Sequence, residues 1–306
     1  MQKLKPRIES AIQLDAKRKL GYAEFGPAHG LPILWFHGTP GARTQIPFKV
    51  RHYADENDIR IICVERPGIG DSTPHLYECI KDFVYDIEKL LMHLKIQQFG
   101  LVGLSGGGPY VLACSEYFKE RVYGAAILGG VAPTIGDEAP LGGPAQRAIK
   151  IERFLRFAHK PISRILRSTI QSTSAYALPI LDFGVKFIKN TETLTLSRPE
   201  MKEMILDDII SGTKSNFSSL IFDIILFARP WGFSVKDITT PTHFWAGTED
   251  TLVPAEHATE LAGMMQQGTV TLCEGEGHLD GFDYGVDAVE FIMQFVGENC
   301  CSKAEI

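Results

Sequence analysis

Gly103-Leu104-Ser105-Gly106-Gly107 stands between an apolar run at Phe99 to Val102 and a helical pattern containing Tyr110 to Phe118. A glycine-x-serine-x-glycine string is weak by itself. Its place between a strand and a helix strengthens it. A sharp strand-to-helix turn forces the serine backbone into a strained conformation, and it needs glycines where side chains would strike the neighbouring strand and helix. Such a turn lifts the Ser105 hydroxyl from the sheet edge. It also puts the backbone N–H of Gly106 at a helix N-terminus, where it can stabilise an oxyanion. The plainer alternative is a glycine-rich turn in which Ser105 caps the helix.

A serine hydroxyl is a poor nucleophile near neutral pH and needs a general base within hydrogen-bond reach. Among nine histidines, His278 lies just beyond the last strand candidate, in Gly275-Glu276-Gly277-His278, where a loop can carry its ring over the sheet edge. His257 falls on a helical pattern and His243 inside a strand pattern, and both read as structural. The acid that orients the base should leave the end of another strand. Asp250 does so after Thr242 to Ala246, with Val253-Pro254 closing the turn, while the adjacent Glu249 points elsewhere. Asp71 and Glu65 read as structural, Asp71 helping the tight turn beside Gly70.

The elements that must position these residues follow from periodicity. Two strand-like runs, Ile8 to Leu14 and Lys19 to Phe25, flank a polar turn as in a hairpin. Short, continuously apolar runs follow at Pro32 to Phe36, Arg60 to Val64, Phe99 to Leu104, Tyr123 to Leu128, Thr242 to Ala246 and Thr269 to Cys273. Strands covered on both faces of a parallel sheet have this pattern. Helical patterns alternate with them, the clearest running from Ile80 to Leu94. The alternation stops between about Pro133 and Val235, where amphipathic helical patterns are punctuated by Pro144, Pro161, Pro179 and Pro199. The expected organisation is a core from 1–132 and 236–306 with a helical cap at 133–235.

Four segments occur in an order that resembles the α/β-hydrolase superfamily, specifically its cap-bearing esterase-like and proline-iminopeptidase-like serine hydrolases. They are His37-Gly38-Thr39-Pro40-Gly41, Arg66-Pro67-Gly68-Ile69-Gly70-Asp71-Ser72, the serine turn, and Gly247-Thr248-Glu249-Asp250-Thr251-Leu252-Val253-Pro254. The resemblance covers nearly the whole chain. It implies an α/β fold with a mostly parallel central sheet, helices on both faces and a helical cap inserted after the sixth strand. It also implies that the Thr39 N–H joins that of Gly106 in the oxyanion hole and that His37 braces the loop. The order Ser105, Asp250, His278 is the one this fold uses.

The expected activity is hydrolysis of small to medium carboxylic esters through an acyl-enzyme on Ser105, with neither metal nor organic cofactor. A proline-iminopeptidase-like aminopeptidase is the leading alternative, although Thr39 stands where those enzymes carry a second glycine. Carbon–carbon bond hydrolases and cofactor-free perhydrolases share the triad, and a ligand receptor on the same fold is the non-enzymatic reading. Serine in place of aspartate argues against haloalkane dehalogenase and epoxide hydrolase chemistry. Phe154, Phe157, Phe222 and Phe227 are candidates to line the pocket, or alternatively belong to the core.

The chain has 306 residues, 44% hydrophobic and 22% charged, with a net charge of −6. That size suits one large α/β unit with an insertion. Nothing in this composition points to nucleic acid, and so small an acidic excess argues against an obligatory polyanionic partner; the expected partner is the small-molecule ester substrate. Within the cap, Arg147, Lys150, Arg153, Arg156, Lys160, Arg164 and Arg167 recur with only Glu152 opposing them. They form either a solvated helix face or one that attracts an anionic substrate or membrane surface. Cys63, Cys79, Cys114, Cys273, Cys300 and Cys301 show no metal-type spacing and read as reduced thiols. The segment from Met1 to Ser10 does not suit a secretory signal, and no run reaches about 18 apolar residues. A cytoplasmic protein without membrane association is expected, and a homo-oligomer stays open.

Overall fold

The computed structural model describes residues 4–141, 148–173, 192–212, 214–215 and 218–297. Its eight strands are β1 (Ile8–Gln13), β2 (Lys19–Phe25), β3 (Leu31–Phe36), β4 (Ile59–Val64), β5 (Phe99–Leu104), β6 (Val122–Leu128), β7 (Thr242–Gly247) and β8 (Gly268–Cys273). They form one sheet in the order β1-β2-β4-β3-β5-β6-β7-β8. β2 pairs antiparallel with β1 and β4, and every other pairing is parallel.

The continuous apolarity of the inner strands has the expected cause. All six residues of β5 are buried, whereas the edge strand β1 buries only Ile12 fully. Successive side chains of a strand point to opposite faces, and β3 divides accordingly. Leu34 and Phe36 enter a core with residues of α2 (Val84–Leu94), α3 (Gly108–Phe118) and the later helix at Ala255–Met264. Ile33 and Trp35 enter the opposite core with residues of α1 (Phe48–Glu56) and the C-terminal helix at Gly285–Met293.

Between β6 and β7 the described elements are helical: α4 (Ala148–Thr173), α5 (Glu192–Ser197), α6 (Pro199–Gly212) and α7 (Ser219–Phe227), with a 3₁₀ turn at Val235–Asp237. α8 (Ala255–Met264) and α9 (Gly285–Met293) are the last helices among the described residues. Pro161, expected to break its helix, lies inside α4. Proline removes one N–H and crowds the preceding turn, yet the helix continues through it, packed against α7. Pro144 and Pro179 lie outside the described residues. Among those described, no helix is long and apolar enough to cross a membrane.

Candidate active site

β5 ends at Leu104, and Ser105 follows with φ at 50°, in the left-handed region that side chains other than glycine rarely adopt. The glycines around it are sterically required. A Cβ on Gly103 would stand 2.7 Å from Val111 Cγ2, and one on Gly107 would stand 2.2 Å from the Phe36 carbonyl oxygen. A 3₁₀ turn at Ser105–Gly107 leads into α3.

The loops after β7 and β8 carry the partners. His278 Nε2 lies 2.8 Å from Ser105 Oγ, and its Nδ1 lies 2.6 Å from Asp250 Oδ2. An ionised carboxylate only accepts hydrogen bonds, so Nδ1 carries the proton toward Asp250 and the Nε2 lone pair faces the serine hydroxyl. The second Asp250 oxygen accepts the N–H groups of Leu252 and Val253, each at 2.8 Å, which locks the carboxylate. Glu249 is exposed, and its N–H donates to the Glu276 carbonyl, joining the two loops. His257 lies on α8, and His243 on β7 is bonded to Thr269 and Thr271.

The loop after β3 lies against the serine turn. A Cβ on Gly106 would stand 2.2 Å from Thr39 Oγ1 and 3.1 Å from the Phe227 ring, and one on Gly38 would stand 3.5 Å from Ser105 Cβ. Neither the Thr39 nor the Gly106 N–H donates to an acceptor among the described residues. His37 is fully buried beneath this loop, with Nδ1 2.8 Å from the Gly38 carbonyl and Nε2 facing the Arg66 N–H. Burial, then the neighbouring Arg66 cation, pushes its pKa well down, so the ring is neutral.

Several residues around this loop had no site role in the sequence reading. Arg66, 1% exposed, donates to the carbonyls of His37 and Gly38, to Thr39 Oγ1 at 2.9 Å, and to Asp223 at 2.7 Å. Asp223 lies on α7 and also accepts the hydroxyls of Thr39 at 2.6 Å and Tyr110 at 2.7 Å. Burial, and after it the Asp223 charge, raises the Tyr110 pKa well above its ordinary value. Asp208 on α6 is buried too, which pushes its carboxyl up against the pull of the Ala42 N–H and Thr44 hydroxyl. Under the loop after β4, burial raises Glu65 to about 7 despite Arg43 beside it. A signal for Asp223 was present: it is the lone charge in the apolar segment Ser219-Leu220-Ile221-Phe222-Asp223-Ile224-Ile225-Leu226-Phe227. A charge at such a position is buried only with a partner.

The four candidate pocket aromatics separate. Phe222 and Phe227 are buried, and Phe227 reaches Gly106. Phe154 and Phe157 are 65% and 92% exposed, so they line neither pocket nor core. On the same helix Lys150, Arg153, Arg156, Lys160 and Arg164 are exposed and Arg167 is half-buried, while Glu152 turns to Arg229 at 2.8 Å. Arg147, Cys300 and Cys301 lie outside the described residues. Among those described, no group of three or more His, Cys, Asp or Glu residues is placed to hold a metal ion.

Residues 32–283 match the family model described as the alpha/beta hydrolase fold. The chain is 35% identical over 127 residues to a Leptolyngbya boryana protein named "Probable proline iminopeptidase", and 32% identical over 131 residues to an Arabidopsis thaliana proline iminopeptidase. These matches cover 40% and 41% of this chain, and only 39% and 33% of the relatives' own lengths. Among solved structures, a thermophilic esterase from Thermogutta terrifontis superposes with a TM-score of 0.64 at 20% identity, covering 95% of this chain and 99% of that one. A bromoperoxidase from Bacillus anthracis gives 0.65 at 20% identity, covering 94% and 100%. At such identities the structural matches speak for the fold alone. With 252 of its residues in that family model, a mostly parallel eight-stranded sheet and a helical insertion after β6, the chain belongs to the α/β-hydrolase family.

Proposed function

We propose that this protein is a serine hydrolase that transfers an acyl group to water through Ser105. The observation that carries this reading is the unbroken chain from Ser105 Oγ through His278 to Asp250, at 2.8 and 2.6 Å. Ser105 Oγ attacks the substrate carbonyl carbon while His278 Nε2 takes the hydroxyl proton. The N–H groups of Thr39 and Gly106 hold the oxyanion, and His278 returns the proton to the leaving group. Water then repeats the sequence on the acyl-enzyme. Asp250 keeps the ring in the required tautomer. A fluorophosphonate probe should label Ser105 alone, and Ser105→Ala should remove labelling and turnover together; labelling of another serine would overturn the assignment.

Two readings of the leaving group differ in support. The curated relatives carry the name proline iminopeptidase, which supports cleavage of an N-terminal prolyl amide more directly than any comparison supports an ester. Residues of the helical insertion favour the ester. An aminopeptidase must fix a charged amine, normally with carboxylates. Among the described residues of the insertion, the two buried carboxylates, Asp208 and Asp223, already accept hydrogen bonds from the protein itself. We therefore put small to medium esters first and the prolyl amide second. Steady-state rates on phenyl acetate, para-nitrophenyl butyrate and a prolyl anilide decide between them. An ester preference of at least about tenfold in kcat/KM, or roughly 1.4 kcal/mol, is expected, and preference for the anilide would reverse the order.

A further inference from the structure

The loop from His37 to Gln45 must hold the Thr39 N–H still if that group is to meet an oxyanion, yet its own backbone hydrogen bonds do little of this. Gly38 and Gly41 lie in it, and among its described backbone hydrogen bonds only two short-range ones, Gln45 to Ala42 and Ile46 to Thr44, close on the segment itself. Side chains do more: Gln45 Nε2 donates to the Pro40 carbonyl at 3.1 Å and Arg51 Nη2 to the Thr44 carbonyl at 2.6 Å, and two acids of the insertion join them. On α7, Asp223 is 2% exposed and gathers three pieces of the site at one carboxylate. Oδ2 accepts the Thr39 hydroxyl at 2.6 Å and Arg66 Nη2 at 2.7 Å, while Oδ1 accepts the hydroxyl of Tyr110, on the helix that follows Ser105, at 2.7 Å. Arg66, held in this way, donates to the His37 and Gly38 carbonyls, and its guanidinium lies 5.0 Å from the centre of the Tyr110 ring.

On α6, Asp208 is 3% exposed and grips the other end of the loop. It accepts the Ala42 N–H at 2.9 Å, the Thr44 hydroxyl at 3.1 Å and Gln45 Nε2 at 3.1 Å. Gln45 passes the constraint on, because its Oε1 accepts the Gly38 N–H next to Thr39. Two carboxylates from separate helices of the insertion thus fix one loop of the core from two sides. Buried carboxylates that lose such donors are costly to leave unpaired, so the loop and the two helices favour a common position.

We propose that Asp223 and Asp208 are positioning residues that shape the oxyanion loop, so that the hole is complete only while α6 and α7 are seated on it. This rests on the acyl-transfer reading given above.

The test compares the wild type with Thr39→Val, Asp208→Asn and Asp223→Asn on whichever ester or anilide the wild type turns over, and on the same compound with C=S in place of C=O. Backbone donors hold a developing oxygen anion far better than a sulfur anion, so the oxo-to-thiono rate ratio reads the hole itself. Thr39→Val deletes the hydroxyl that Asp223 accepts and keeps the shape. Each asparagine replaces one acceptor by a donor facing N–H or O–H groups. Each variant should lose about tenfold or more in kcat, below the 10²–10³ typical of deleting an oxyanion donor. KM should stay within about twofold, and the oxo-to-thiono ratio should fall with kcat. Should Asp223→Asn not fold, the other two variants decide. Wild-type kcat and ratio in both would overturn the proposal, as would a loss of kcat with an unchanged ratio. A wild type that neither turns over any of these compounds nor labels at Ser105 would instead remove the acyl-transfer reading, and this inference with it.

Discussion

Helices α4 and α7 pack against each other within one insertion and treat their side chains in opposite ways. α7 buries Ile221, Phe222, Ile225, Leu226 and Phe227 and carries a single acid, Asp223, which is also buried. α4 turns Leu166 and Ile170 inward toward Ala42 and Ile69, yet it leaves Phe157 92% exposed beside a row of exposed cations. Apolar character therefore does not decide which residue reaches the site. Contact with the site does: α7 places Asp223 on Thr39 and Arg66 and Phe227 beside Gly106, whereas Phe157 of α4 faces solvent. A charge buried with Arg66, Thr39 and Tyr110 is more closely tied to the site than an aromatic ring in water.

The contrast can be broken or sharpened by substitution. The largest expected effect sets the scale for the site. Asp250→Asn should lower kcat by about 10⁴, as loss of the correct histidine tautomer does, while Glu249→Gln, at an exposed side chain, changes little. Equal losses from the two would place the orienting acid wrongly.

Next comes the buried acid of α7. Asp223→Ala leaves Arg66 as an uncompensated buried cation, for which about 3–5 kcal/mol of lost stability is expected. Chemical denaturation would measure it, and a loss under about 1 kcal/mol would mean that Arg66 finds another partner. The aromatic pair tests the same division directly. Phe227→Ala should cost about 3 kcal/mol or more, in the range for a buried phenylalanine, and Phe157→Ala less than about 0.5 kcal/mol. Comparable losses would show that the outer face of α4 is covered in solution.

A smaller effect concerns Glu65, a buried acid whose contact with Arg43, at 3.5 Å, is looser than that of Asp223 with Arg66. Its carboxyl is raised to about 7 in the fold, against about 4.3 in an unfolded chain. Between these values the folded protein holds a proton that the unfolded chain has lost. Stability should therefore fall as pH rises through this window, by at most about 1.4 kcal/mol per pH unit from this group. Glu65→Gln should flatten that part of the curve in thermal denaturation followed against pH. An unaltered slope would assign it to other groups.

The strands and the elbow were legible because local rules govern them. β5, buried on both faces, reads as Phe99 to Leu104 without a polar residue, and Ser105 needs glycines where any Cβ would collide. The loops bearing Asp250 and His278 were legible as loops leaving strand ends, which is where this fold brings side chains together. The insertion was legible only as helical. Pro161 looked like a break because local propensity argues for one, yet the helix continues through it, packed against α7.

By itself, then, the order of residues determined which segments become strands, where the serine turn falls and which family the chain resembles, since each depends on short-range periodicity and steric demand. Tertiary structure alone decided that Asp223 meets Thr39, Arg66 and Tyr110, and that Asp208 meets Ala42, Thr44 and Gln45. These contacts join residues 113 to 184 positions apart for Asp223 and 163 to 166 apart for Asp208. No local pattern encodes such meetings. They follow from how the insertion is seated over the sheet, and burial then leaves each carboxylate to find its donors there.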